Sequence, residues 1–205
     1  KSIDIIDLQE IRSPGELKLS PDGKKIFYTL YEQDKDLNKR VYHIWQMDLE
    51  GNNNKKITDY KNGETNIQFL NDSKIAFLSN NEGKQNIFSV NYNGGDKSLL
   101  FAHSAPITSF SLSADRNNVY FLSSVTSSQG INLGLISTFF NTDSTYPISE
   151  LWRYDMKSKS KEKLIKMKVH IRAFALSPDG NKLALTISPN AQPNDEILSE
   201  IYIFY

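Results

Sequence analysis

The chain has 205 residues, with 24 Lys+Arg balanced by 24 Asp+Glu. With no formal net charge it has no basic field to gather phosphates, which argues against nucleic acid as a partner. The absence of cysteine excludes a disulfide framework, a thiolate zinc site and a cysteine nucleophile. No apolar run approaches the roughly 18 residues that a bilayer span requires.

In chain order, residues 2–11 (SIDIIDLQEI) place Ile3, Ile6 and Ile11 at helical spacing, with Ile5 and Leu8 nearby. That spacing predicts a short amphipathic helix ended by Ser13-Pro14-Gly15. The rival expectation is a strand over 3–6 that completes a sheet elsewhere. Next comes the stretch LKLSPDGKKIFY (17–28), which has a near copy, FALSPDGNKLAL, at 174–185. In each, an apolar alternation runs into Ser-Pro-Asp-Gly and out into another. Pro21 and Pro178 preset φ for the first corner, Asp22 and Asp179 can bond the backbone ahead, and Gly23 and Gly180 take the left-handed position. Each copy therefore predicts a tight antiparallel hairpin.

The hairpin opens a unit of four expected strands. The first unit has strands at 17–20, 25–31, 43–49 and 55–58, and the second at 67–70, 74–79, 86–92 and 97–102. The third has 107–112, 118–123, 150–155 and 162–166, and the fourth has 171–176, 182–187 and 200–205. The turn aspartates Asp22, Asp72, Asp115 and Asp179 are separated by 50, 43 and 64 residues, the last interval lengthened by an insertion at 126–149. Four-stranded repeats of about 40–50 residues are the signature of propeller blades. The expected fold is all-β: about four antiparallel four-stranded blades at 14–60, 65–103, 106–167 and 170–205, a single partial β-propeller. Fifteen strands leave the last blade without its outer strand. The favoured expectation is that the rest of the ring lies outside this chain. The alternatives are closure of a four-bladed ring by 3–6 and self-association through the open blade edge.

The opening IDLQEIRSPGELKLSPDG (6–23) resembles the start of the propeller in the prolyl oligopeptidase family of serine peptidases. The fourth unit, LSPDGNKLALTISPNAQPNDEILSEIYIF, is similar to blades of the same family, with the dipeptidyl-peptidase and acylaminoacyl-peptidase branches nearest. TolB and other binding propellers share Ser-Pro-Asp-Gly-Lys. In the resembled family the catalytic Ser, Asp and His lie on an α/β-hydrolase domain after the propeller. The chain contains no Gly-x-Ser-x-Gly nucleophile elbow; Gly134-Leu135-Ile136-Ser137 is the nearest stretch and fails the spacing. The resemblance thus implies a non-catalytic propeller portion that gates and shapes the active site of a following hydrolase domain. Its implied partners are the remainder of the propeller, that domain and, through the parent enzyme, a peptide substrate. The implied location is periplasmic or secreted. A TolB-like interaction scaffold is the alternative, with a sensor or carbohydrate-binding propeller behind it.

Candidate chemistry is sparse, and no cofactor or metal is expected. His43, His103 and His170 fall in different units without ligand spacing and read as structural or surface histidines. Asp34-x-Asp36-x-Asn38 has alternating oxygens but lacks the Gly and terminal Glu of a calcium loop, so a solvated loop is expected. Asn71-Asp72-Ser73 fits a glycosylation tripeptide yet is explained by its hairpin turn. The insertion at 126–149 is apolar enough either to pack on its own blade or to cover a partner. Some members of the resembled family hold a substrate ammonium with propeller carboxylates, which makes Asp195 and Glu196 possible substrate-facing residues; the plain reading is a hydrated turn. Trp45, Phe88, Trp152 and Tyr202 recur on third strands and are expected to pack in the core.

Overall fold

The computed structural model describes residues 12–34, 39–125, 146–167 and 169–205. The segment expected as a helix or strand at 2–11, the loop residues Asp36 and Asn38, and most of the insertion lie outside the described residues. The described residues are all-β apart from one 3-10 turn, Pro193–Leu198. The first sheet runs in the order β1 (Ser13–Leu19), β2 (Lys25–Asp34), β3 (Lys39–Asp48) and β4 (Lys55–Lys56). The second consists of β5 (Glu64–Phe69), β6 (Lys74–Asn81), β7 (Lys84–Asn91) and β8 (Ser98–Leu99). The third holds β9 (Ile107–Leu112), β10 (Asn118–Val125), β11 (Ile148–Asp155) and β12 (Lys161–Lys163). The fourth has three strands, β13 (His170–Leu176), β14 (Leu183–Ser188) and β15 (Glu200–Phe204). Every pairing is antiparallel between chain neighbours, the meander of a propeller blade.

The hairpin turns show how short-range chemistry starts each sheet. In the first, the Gly23 amide donates to the Ser20 carbonyl at 2.9 Å, and Gly23 sits at φ +70°. Asp22 Oδ1 accepts from Ser20 Oγ at 2.6 Å and from the Lys24 amide at 3.1 Å. The serine oxygen in turn accepts the Lys25 amide at 2.9 Å, so one hydroxyl links the two strands. Ser177 and Asp179 repeat the arrangement, as do Ser113 and Asp115, where Arg116 occupies the left-handed position at φ +57°. The second sheet differs. There Asn71 Oδ1, not Asp72, accepts the Ser73 and Lys74 amides, both at 2.9 Å, because Asn71 stands one residue closer to the strand end.

The chain forms two compact units, residues 1–104 and 105–205. In the first, Phe27 and Ile44 of the first sheet share a buried cluster with Ile67, Ile75, Phe77, Phe88 and Val90 of the second. Phe69 and Tyr92 close on Phe27 with ring centroids 5.4 and 4.7 Å away. In the second unit, Leu122 and Leu151 pack with Ile171, Leu185 and Ile187. Alternating strand residues supply these faces, as the period of two requires.

Two expectations need correction. The outer strands are only two or three residues long, not the four to six anticipated: past the residue opposite the third-strand aromatic the pairing continues only as the amides of Ile57, Leu100 and Leu164 bonding the carbonyls of Ile44, Ile87 and Leu151. Of the four aromatics expected to pack in the core, Phe88 alone is buried there. Trp45 and Trp152 are half-buried and donate their indole N–H to Glu32 and Glu150, while Tyr202 is exposed on β15. A ring with a polar handle settles where that handle finds a partner, which a sheet interior does not offer.

The turn carboxylates give a pH prediction. Hydrogen bonds from Ser113 and Asn117 hold the Asp115 carboxyl down at about 2, and the serine bond likewise depresses Asp22 and Asp179 below the ordinary 3.8. A depressed folded pKa contributes stability above the unfolded value and loses it as pH falls through the folded one. The denaturation midpoint is therefore expected to fall between about pH 4 and pH 2. Ser113→Ala should flatten that acid-side slope, read from urea melts across the range.

Candidate functional site

Among the described residues, the first unit holds a buried polar cluster. β3 carries His43 and β5 begins at Glu64, so the two residues come from different sheets. Both are buried, with 6% and 1% of their surface exposed. His43 Nδ1 lies 3.0 Å from Glu64 Oε2, and Thr58 Oγ1 donates to the same oxygen at 2.5 Å. Thr58 Oγ1 also accepts the Ile44 amide at 2.9 Å. Glu64 Oε1 has no hydrogen-bond partner among the described residues. On the other side of the ring, His43 Nε2 is 3.6 Å from Asp59 Oδ1.

Gly63 brings Glu64 to this place. It sits at φ +75°, and a Cβ there would lie 3.0 Å from the Tyr42 carbonyl oxygen. Only glycine supplies both the left-handed backbone and the close approach to β3. Lys97 stands near the carboxylate's field. Its ammonium lies 4.4 and 4.5 Å from the ring centroids of Phe88 and Tyr60 and donates to Ser79 Oγ at 3.3 Å. Burial holds its pKa below the ordinary value despite the opposing attraction of Glu64. The same burial, together with Glu64, pushes the Tyr60 hydroxyl up.

Chemically this is a staple and not a nucleophile-activating dyad. A histidine that serves as a general base needs a hydroxyl at the nitrogen remote from its carboxylate. His43 faces carboxylates from both ring nitrogens, and the Thr58 hydroxyl is engaged by Glu64 and Ile44. Above the staple opens a polar cleft of about 310 Å³, lined by Arg40, Tyr42, Asn62, Glu64, Asn80 and Gln85 among others. Tyr42 stacks on Tyr31 at 4.6 Å, and Arg40 caps the Tyr31 ring at 5.5 Å. Amide side chains and a guanidinium at its rim suit the backbone of an extended peptide better than an apolar ligand.

The other sequence candidates lie elsewhere. Glu196 is exposed on the 3-10 turn Pro193–Leu198, which also contains Asp195. His103 is buried, with its carbonyl 3.3 Å from Lys84 Nζ. His170 accepts the Ser149 amide at Nδ1 (3.1 Å), and burial, aided by Arg172, holds its pKa down. Among the described residues no group of His, Asp and Glu is arranged to hold a metal ion. No helix of the described residues is long and apolar enough to cross a membrane. Glu64, Thr58 and Lys97 were not singled out by sequence reasoning; the tight Asn62-Gly63-Glu64 step was the sole local signal.

Repeated antiparallel meanders with face-to-face apolar cores define the chain as blades of a β-propeller. Comparison with known proteins narrows this. The chain is 41% identical over 108 residues to dipeptidyl-peptidase 5 of Porphyromonas gingivalis, a match covering 52% of this chain and 16% of that protein. Among solved structures it is similar to the acylaminoacyl peptidase of Pyrococcus horikoshii, with a TM-score of 0.64 at 14% identity. That match covers 97% of this chain and 31% of the peptidase. It is also similar to TolB from Acinetobacter baumannii, with a TM-score of 0.58 at 18% identity over 93% of this chain and 43% of that one. The structural matches show the propeller fold. No family model matches the chain.

The staple makes a stability prediction. Leaving buried hydrogen-bonding groups without their partner costs about 1–3 kcal/mol each. Glu64→Ala, which strips the partner from His43 and Thr58, should accordingly lose about 3 kcal/mol in a chemical denaturation series. In a double-mutant cycle with His43→Ala, a coupling of more than about 1 kcal/mol is expected, as for residues in direct contact.

Proposed function

We propose that this chain is the non-catalytic propeller portion of a serine peptidase resembling the prolyl oligopeptidase family. It would gate access to, and shape, the active site of an α/β-hydrolase domain. The observation that carries this reading is the 41% identity to dipeptidyl-peptidase 5 over 108 residues, where the structural match to TolB has 18%. The chain spans only 16% of that protein's length, so peptide hydrolysis belongs to the proposal and would be performed outside these residues. In this reading the polar cleft beside Glu64 and the carboxylates Asp195 and Glu196 are surfaces along which a peptide could be steered. The parent protein would be periplasmic or secreted, where a peptidase of this kind meets external peptides. The similarity to TolB over 93% of the chain favours one alternative, an interaction scaffold with no enzyme attached.

The test is to sequence the reading frame beyond the Tyr205 codon. The peptidase reading expects further blades and then Gly-x-Ser-x-Gly followed in order by Asp and His. Blades alone before a stop codon would replace it with the scaffold. In parallel, the purified 205-residue chain should release no chromophore from dipeptidyl p-nitroanilides.

A further inference from the structure

The cleft above Glu64 combines a wall of paired amides with a floor that holds one unused acceptor. Asn80 of β6 pairs directly with Gln85 of β7, so both side chains leave the same face of the second sheet. Both are half-buried and line the cleft, while Arg40 and Tyr42 of β3 line it from the first sheet. Asn62 donates Nδ2 to the Asn80 carbonyl at 3.3 Å, which ties the turn before Glu64 to β6. At the floor, His43 Nδ1 and Thr58 Oγ1 both engage Glu64 Oε2. Glu64 Oε1 has no hydrogen-bond partner among the described residues, although Glu64 is 1% exposed and lines the cleft. A buried acceptor left without a donor is costly, so a ligand that brings one recovers that cost.

Charge decides what kind of donor fits. Lys39 and Arg40 belong to the lining, and the Lys97 ammonium beside it already feels the attraction of Glu64. A cationic group entering the cleft would meet these three like charges. An anionic group would meet the Glu64 carboxyl at the floor. The occupant that suits both is neutral and carries its own N–H or O–H. An amide side chain offers two donors and an acceptor, which is the complement of a peptide group with its one N–H and one C=O.

We propose that this cleft binds a neutral, internal stretch of peptide main chain. One of its amide N–H groups donates to Glu64 Oε1, and Asn80 and Gln85 hold the adjoining peptide groups. The inference rests on the peptidase reading for its choice of a peptide over another neutral polar ligand. It adds that the cleft recognises main chain remote from either charged end, so that a few placed polar groups fix where the peptide lies.

The experiment titrates the 205-residue chain with N-acetyl-tetraalanine amide and follows the side-chain NH2 resonances of Asn80 and Gln85. Both should shift together and saturate. Free tetraalanine, with both ends charged, should bind no more tightly, and affinity for the blocked peptide should change less than about twofold between low and high salt. Asn80→Ala combined with Gln85→Ala should weaken binding about tenfold, and both positions lie outside the buried apolar cluster that holds the sheets together. The Glu64 contact is read from the ligand, because replacing Glu64 would also dismantle the staple. An ester in place of each amide in turn should weaken binding about tenfold at the one position that faces Oε1. Tighter binding of the free peptide, loss of affinity in salt, or unchanged affinity in the double variant or in every ester would overturn the proposal. So would no shift with any peptide, or shifts with maltotetraose alone, which would assign the cleft to a saccharide. Peptide-induced shifts in a protein whose reading frame ends in blades alone would support the cleft and remove only the peptidase.

Discussion

A four-stranded antiparallel sheet has two faces and cannot bury either by itself. The constraint on which this molecule depends is therefore the meeting of one sheet's apolar face with the next. Phe27 and Ile44 are fully buried because Ile67, Ile75 and Phe77 arrive from the following sheet to cover them. Each such side chain contributes about 1.5–3 kcal/mol when it leaves water. The hairpin turns contribute far less, yet they fix which alternate residues face that way. A slip of one position would turn Phe27 outward and Tyr28 inward. The turns specify and the faces stabilise.

Against that background, Glu64 is costly and informative. A carboxylate with one unpaired oxygen at 1% exposure is an expensive neighbour for an apolar face. It is tolerated because His43 and Thr58 reach it from the first sheet while it belongs to the second. An apolar face accepts many sliding registers; a buried carboxyl with two fixed hydrogen-bonding partners accepts one. The Gly63 approach to the Tyr42 carbonyl fixes the same relation through the backbone.

The parts of this architecture that were legible in the sequence are those encoded within a few residues. Ser-x-Asp turns, apolar alternation and the repeat spacing are local, and they sufficed for an all-β fold built of blade-like sheets. The unread parts depend on residues far apart in the chain. His43 and Glu64 are 21 residues apart, and nothing near either announces the other. The first strand of each sheet breaks register, between Pro14 and Leu17, Thr65 and Gln68, or Ile171 and Ala173, and beside Ser123 in the third. Such bulges answer to the twist of a sheet already formed. Trp45, Trp152 and Tyr202 looked like core residues because ring size is visible in a sequence, whereas the acceptor for a ring's N–H or O–H is not. In the second sheet Asn71 took the part expected of Asp72, since a one-residue shift in a turn leaves the composition unchanged.

The ladder between β10 and β11 runs unbroken from the Asn118–Asp155 pair to the Val125–Ile148 pair, and the 22 residues between Val125 and Ile148 are spliced into its far end. The cost of closing such a loop rises only slowly with its length. The two strand ends are clamped at neighbouring positions whatever lies between them. That hairpin is thus a socket: a reporter domain with adjacent termini, exchanged for the native splice, would inherit a rigid mount, while the hydrogen bonds beneath it stayed as they are.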